Sequence, residues 1–271
     1  MDDEGNPESE TDSLTDPTVE LVIPTLNEAH VLEGTVHEVL AYLRESFPYP
    51  ARILIADNGS TDGTGELAER LARELEDVRC LRLHLRGRGR ALKEAWTSSD
   101  ADIVAYTDVD LSTELVYLEP LCRLLASGAA ELATGSRLLP DSQTTRGLKR
   151  EIISRTYNLV LKTILGVKFS DAQCGFKAAT RRAVRDLVPM VKDDGWFFDT
   201  ELLVLGEKLG YEVGEVPVKW TDDDDSRVRI VSTAWDDLKG VFRLRRWLWS
   251  SEFRRTRRTL LDTPKTEPTR G

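Results

Sequence analysis

Cysteine is scarce in this 271-residue chain. Cys80, Cys122 and Cys174 are odd in number, scattered, and form no Cys-x-x-Cys pair. That excludes a zinc framework built on paired cysteines and argues for reduced thiols in a cytoplasmic compartment. No apolar run approaches the ~20 residues needed to cross a bilayer. The first residues are acidic and lack the apolar core of a secretory signal. A glycine-rich phosphate loop after the first apolar run is also missing; Pro24-Thr25-Leu26-Asn27-Glu28 stands there. This argues against a nucleotidyltransferase built on paired aspartates. What remains is a chain of ordinary globular composition, 40% hydrophobic and 31% charged, long enough for one full core.

The net charge of -10 is unevenly spread. Residues 1–17 carry seven acids and no basic residue, and have too little apolar surface to order themselves; they read as a disordered acidic leader. From Ser226 onward 12 Lys and Arg stand against 5 Asp and Glu. The expected division is therefore a leader at 1–17, a catalytic domain at 18–232, and a basic helix and tail at 233–271. Residues 239–258 hold eight basic residues, the aromatics Phe242, Trp247, Trp249 and Phe253, and one acid, Glu252. Two readings compete for this stretch. A helix on an anionic membrane surface is favoured over one packed against the catalytic domain. Nucleic acid is not an expected partner, since no stacking platform or recognition motif accompanies the charge.

Between these ends, short apolar runs alternate with helical spacing. Strands are expected at 19–23, 52–56, 78–83, 103–106 and 131–134, with helices between them at 28–46, around Leu67, Leu71 and Leu75, at 90–98, and around Leu115, Leu118, Cys122 and Leu125. Such alternation implies an α/β fold with a mostly parallel central sheet and helices on both faces, which binds ligands at the carboxyl ends of its strands. Four polar clusters fall at those ends: Pro24 to Glu28, Asp57-Asn58-Gly59-Ser60-Thr61-Asp62-Gly63, Arg86-Gly87-Arg88-Gly89, and Asp108-Val109-Asp110. Any one of them could be turn and cap chemistry. In extended backbone, Asp108 and Asp110 would point the same way, as paired carboxylates suited to Mg²⁺ or Mn²⁺ and a substrate's phosphate oxygens. Asp199 and Glu201 open a helix, and Asp199 reads more readily as its N-cap than as a base. Gln173-Cys174-Gly175-Phe176 admits a buried turn packed by Phe176.

The ordered set PTLNE, DNGSTDGT, RGRGRA, TDVD, TGSR, DAQCGFK and FFDTELL resembles the family 2 glycosyltransferases of GT-A fold. Within that family it is most similar to the polyprenyl-phosphate sugar synthases, which make dolichyl-phosphate glucose or mannose. The resemblance implies an inverting transfer from a nucleotide-sugar, UDP-glucose-like ahead of GDP-mannose, to a polyprenyl phosphate at a membrane surface. It also implies roles by position. Pro24, Leu26, Glu28, Ala56, Asp57 and Asn58 would frame the nucleoside, although the family usually has a second Asp where this chain has Asn58. Asp108, Val109 and Asp110 would face the diphosphate, the two aspartates holding the metal. Arg88 and Arg137 would contribute charge to phosphate. Lys177 would line the acceptor side, and Arg227 would belong to a mobile element closing over the diphosphate. Asp110, Asp171 and Arg227 would be catalytic. A phosphate acceptor needs no strong base, whereas a hydroxyl acceptor would need a carboxylate such as Asp171 or Asp199. The alternatives are a family 2 transferase with a soluble acceptor and an inactive nucleotide-sugar-binding scaffold.

Overall fold

The structure is a computed structural model that describes residues 16–145, 147–221 and 230–262. The expected leader therefore lies outside the described residues except for its last two. In chain order the elements are β1 (Val19–Thr25), α1 (Leu32–Glu45), β2 (Ala51–Asn58), α2 (Thr64–Glu74), β3 (Val78–Leu83), α3 (Arg88–Ser98), β4 (Ile103–Thr107), α4 (Leu118–Ala126), β5 (Leu132–Ser136), β6 (Gln143–Thr145), α5 (Leu148–Leu165), β7 (Phe176–Thr180), α6 (Arg181–Leu187), α7 (Phe198–Leu209), β8 (Val213–Pro217), β9 (Lys219–Thr221), α8 (Ile230–Leu248) and α9 (Ser251–Asp262).

Seven strands form one sheet in the order β3-β2-β1-β4-β7-β5-β8, and β6 pairs with β9 in a small parallel ribbon. The large sheet is parallel except at β7, which runs antiparallel to both β4 and β5. Apolar residues of β1 serve both faces: Val19, Leu21 and Ile23 join a core with α1, α2 and α4, while Val22 joins one with α3, α5, α6 and α7. A strand buried on both sides needs this near-continuous apolar run. The carboxyl ends of β1, β2, β3 and β4 consequently lie along one edge.

The five expected strands are present, with β5 shifted to Leu132–Ser136. Four further strands are added. β7 was hidden because Lys177 interrupts its short apolar run; it is a buried strand that begins at Phe176, so the last residue of the turn expected at Gln173 to Phe176 belongs to the strand instead. The first helix starts at Leu32, later than expected, because Asn27 takes a left-handed φ of 59° and holds the preceding loop out of the helix.

The basic C-terminal stretch is two helices, broken at Trp249 and Ser250, and the first packs against the catalytic domain. Val241 and Leu244 are fully buried, Gly240 lies against the ring of Phe197, and Arg243 pairs with Glu201 at 2.7 Å. Asp237 is also buried and accepts a 2.8 Å hydrogen bond from the Gln173 side chain. Burial first, and the neighbouring charge of Asp193 second, push its carboxyl up to about 7. A carboxyl raised in the folded state contributes stability that is complete below its unfolded value near 4 and is lost as pH rises through 7. Asp237→Asn keeps an acceptor for Gln173 and removes the charge. It is expected to raise the melting temperature at pH 8 and leave it nearly unchanged at pH 4, as read by thermal denaturation at both values.

Candidate active site

The first two loops of the edge hold each other. The Asn27 amide donates to Ser60 Oγ at 2.9 Å, the Thr61 amide to Asn27 Oδ1 at 2.8 Å, and the Glu28 amide to Thr64 Oγ1 at 2.8 Å. Asp57 is buried and caps the turn through the Ser60 amide, and Asn58 Oδ1 accepts from the Gly87 amide at 2.7 Å. Pro24, Leu26 and Glu28 keep partly open surfaces at the mouth of these loops. Ala56 does not: its side chain is fully buried in the core and can offer a nucleoside only backbone.

Asp108, Val109 and Asp110 form a turn, which corrects the extended geometry expected of the pair. The Leu111 amide donates to Asp108 O, and Leu111 takes a left-handed φ of 49°. Thr35 of α1 holds the turn by donating to Val109 O at 2.8 Å, and the Ser112 amide donates to Asp110 Oδ1 at 3.0 Å. Asp110 is exposed, and Asp108 is partly so. Asp108 packs its carboxylate directly over Gly175, where a Cβ would overlap Oδ2.

Arg88, the first residue of α3, bridges Asp108 at 2.8 Å and Asp199 at 2.7 Å. Its guanidinium lies 4.8 Å from the Tyr106 ring centre and 5.1 Å from that of Trp196. Burial opposes its charge, but Asp108 and Asp199 outweigh burial and keep it protonated. Asp199 is not an N-cap. It lies inside the first turn of α7, which has no side-chain cap, and its buried carboxylate meets Arg88, the Tyr106 hydroxyl and Lys177. Burial would raise its pKa; Lys177 and Arg88 bring it below the ordinary carboxylate value instead. Tyr106 belongs to the cluster and was missed, because a Tyr inside an apolar strand reads as core.

Two further expectations change. Lys177 does not line an open acceptor side; it is 1% exposed and donates to Cys174 O beneath the site. Asp171 is not a base in waiting. It is fully buried and grips Arg137 at two points, 2.7 and 3.0 Å, while accepting the Arg137 and Gln173 amides. Burial opposes its ionisation, but the Arg137 guanidinium wins and brings its pKa to about 2. Its task is to fix Arg137, whose guanidinium also lies 5.4 Å from the Trp220 ring centre. Arg227 and its expected mobile element lie outside the described residues.

The family model for glycosyl transferase family 2 matches residues 20–188, more than half of the chain. The chain belongs to that family. It is a glycosyltransferase, and its mixed, mostly parallel sheet is the GT-A fold. Among curated proteins it is 39% identical to glycosyltransferase AglD of Haloferax volcanii over 215 residues, covering 79% of this chain. It spans only about a third of that relative, 34% of its length. It is 32% identical to a dolichyl-phosphate beta-glucosyltransferase of Drosophila melanogaster, with 80% of this chain and 72% of that protein covered. Among solved structures, glucosyl-3-phosphoglycerate synthase from Mycobacterium tuberculosis, in complex with Mn²⁺, UDP and its product, matches with a TM-score of 0.63 and 19% identity, covering 87% of this chain and 82% of that one.

Gly175→Ala tests the seat of Asp108. The three nearest neighbours of the added Cβ are all atoms of the Asp108 carboxylate, so the strain falls first on that side chain. The variant should remain folded, at a cost of about 1–3 kcal/mol, while sugar transfer falls at least about tenfold, the scale of one lost charge contact. Steady-state transfer with a melting curve checks both; unchanged transfer would show that Asp108 need not occupy this seat.

Proposed function

We propose that the protein transfers a glucosyl group, with inversion, from UDP-glucose or a similar nucleotide-sugar to a polyprenyl phosphate, with Mg²⁺ or Mn²⁺ at Asp108 and Asp110. GDP-mannose is the second candidate donor. The observation that carries the acceptor class is the state of Asp171 and Asp199, the two carboxylates the sequence offered as bases. Asp171 is locked to Arg137, and Asp199 to Arg88, Tyr106 and Lys177, and both are held as weak bases. A hydroxyl acceptor needs a positioned base of raised pKa, whereas a phosphate monoester arrives already ionised. The curated relatives named for dolichyl-phosphate glucosylation support the same class.

The donor set fits a divalent cation. Two hard carboxylates share one turn at an open edge, and no group of three or more acid, His or Cys side chains able to hold a metal ion is present among the described residues. Such a pair suits an ion that keeps waters and takes the rest of its ligands from a diphosphate. When bound there, the cation would neutralise the charge growing on the departing nucleoside diphosphate. The chain's own work is to hold the surrounding charges still. Arg88 orients Asp108, and Asp171 occupies Nε and Nη2 of Arg137, leaving Nη1 as a donor for phosphate. Pro24, Leu26, Glu28, Asp57 and Asn58 shape the nucleoside end. Arg227 would add charge on closure.

Membrane contact is part of the reading. No helix among the described residues is long and apolar enough to cross a membrane. On the face of α8 away from the core, Trp235, Phe242 and, just past its end, Trp249 stand exposed seven residues apart, so they share one stripe. Ile152 and Leu159 of the neighbouring α5 are exposed at the same interval. Basic residues flank the stripe, each contributing on the order of 1 kcal/mol near an anionic leaflet.

A donor screen with polyprenyl phosphate in detergent, read by the mass of the sugar-lipid, tests the transfer. UDP-glucose is expected to be the productive donor, and Asp110→Asn to lower the rate by at least about a hundredfold. Full activity in excess chelator would remove the metal, and efficient transfer to a water-soluble hydroxyl acceptor alone would replace the lipid. Separately, replacing Trp235, Phe242 and Trp249 together by Ser is expected to reduce flotation with anionic vesicles without altering the circular dichroism. Equal flotation would place the attachment elsewhere.

A further inference from the structure

Trp196 is an unexplained residue at the mouth of the site. A tryptophan used for packing is covered, as Trp96 is at 1% exposure; Trp196 leaves 48% of its surface open. Its loop is nevertheless firmly held. The Arg90 amide donates to Asp194 O at 3.1 Å, while Arg90 and Lys93 both pair with the Asp194 carboxylate. Glu201 accepts the Lys192 and Asp193 amides at 3.1 and 2.9 Å, and the Gly195 amide bonds Asp193 Oδ1 at 2.7 Å. The glycines of Arg86-Gly87-Arg88-Gly89 make this approach possible. A Cβ on Gly87 would sit 2.6 Å from Asp194 O, and one on Gly89 would sit 2.8 Å from Gly195 O. The backbone around Trp196 is thus fixed while the indole faces water.

The indole also has a defined place relative to the chemistry. The Arg88 guanidinium lies 5.1 Å from the Trp196 ring centre and donates to Asp108 at 2.8 Å. A single guanidinium therefore separates the indole from the carboxylate proposed to meet the diphosphate. In a nucleotide-sugar the diphosphate is flanked by the nucleoside on one side and by one pyranose ring on the other. With the nucleoside assigned to the loops after β1 and β2, the pyranose is the group left for the Trp196 side. A pyranose has an apolar C–H face that an indole can cover while the hydroxyls stay solvated, and a rigid aromatic loses little entropy in doing so.

We infer that Trp196 is the platform for the pyranose ring of the donor, a specificity-determining residue of the site. This rests on the nucleotide-sugar reading above. The platform selects sugars that present an unbroken C–H face and contributes nothing to the nucleotide.

Calorimetric titration of the full chain with UDP-glucose and with UDP, both in Mn²⁺, tests it using the wild type, Trp196→Ala and Trp196→Phe. Trp196→Ala is expected to weaken UDP-glucose about tenfold, the size of one lost aromatic contact, and to leave UDP unchanged. Trp196→Phe should recover most of the loss. An equal loss for both ligands would make Trp196 a prop for Arg88 and overturn the platform, as would no loss for either. If the wild type binds neither ligand, nor GDP-mannose nor GDP, the nucleotide-sugar reading itself falls and the platform falls with it.

Discussion

The site depends on one buried charge arrangement: Arg88 held between Asp108 and Asp199. Taking an ion out of water costs several kcal/mol even after relaxation, and only close opposite charge and hydrogen bonds offset it. Here each member supplies that for the next. Arg88 comes from the start of α3, Asp108 from the end of β4 and Asp199 from the first turn of α7, with Lys177 of β7 beneath. The arrangement joins the parallel half of the sheet to the antiparallel strand and its helices. It also means that the site's charges are ordered before any ligand arrives, so charge developing in a bound substrate meets dipoles that need not reorganise.

Several motif residues that look like ligands are instead what lets this arrangement close. Gly175 is small because the Asp108 carboxylate occupies the space a side chain would take. Gly87 and Gly89 are small because the backbone of Asp194 and Gly195 lies on them, and Asn58 secures the same loop through the Gly87 amide. Asp171 follows this pattern, spending its carboxylate on Arg137. Charge at the edge is thus presented by a few residues and positioned by many. This is the usual relation between a reacting group and the shell that orients it.

The parallel part of the fold was legible because strands buried on both faces leave unbroken apolar runs, as at residues 19–23 and 103–106. The common edge of the strands' carboxyl ends followed from topology. β7 was not legible: a buried lysine at its centre makes sense only once Asp199, 22 residues onward, is seen beside it. Asp199 itself looked like a cap because an acid near a helix start usually is one. Its true partners, Arg88 and Tyr106, lie 111 and 93 residues away, and no local pattern reports them. The geometry expected of Asp108 and Asp110 was partly wrong. Spacing of two suggested an extended strand, but a turn closed by left-handed Leu111 brings the residues to the edge.

The C-terminal helix shows why charge and hydropathy alone could not separate membrane contact from packing. α8 carries two apolar faces: one is filled by Val241 and Leu244, the other is left open by Trp235 and Phe242. A helical plot of such a segment is broad and poorly amphipathic, as a helix with two apolar contacts must be. Its inner face is more than filler. Asp237 reaches Gln173, two residues from Asp171, and Gly240 and Arg243 rest on Phe197 and Glu201, which flank Asp199. The element with the exposed aromatic stripe is therefore bonded to the segments that fix Arg137 and Arg88.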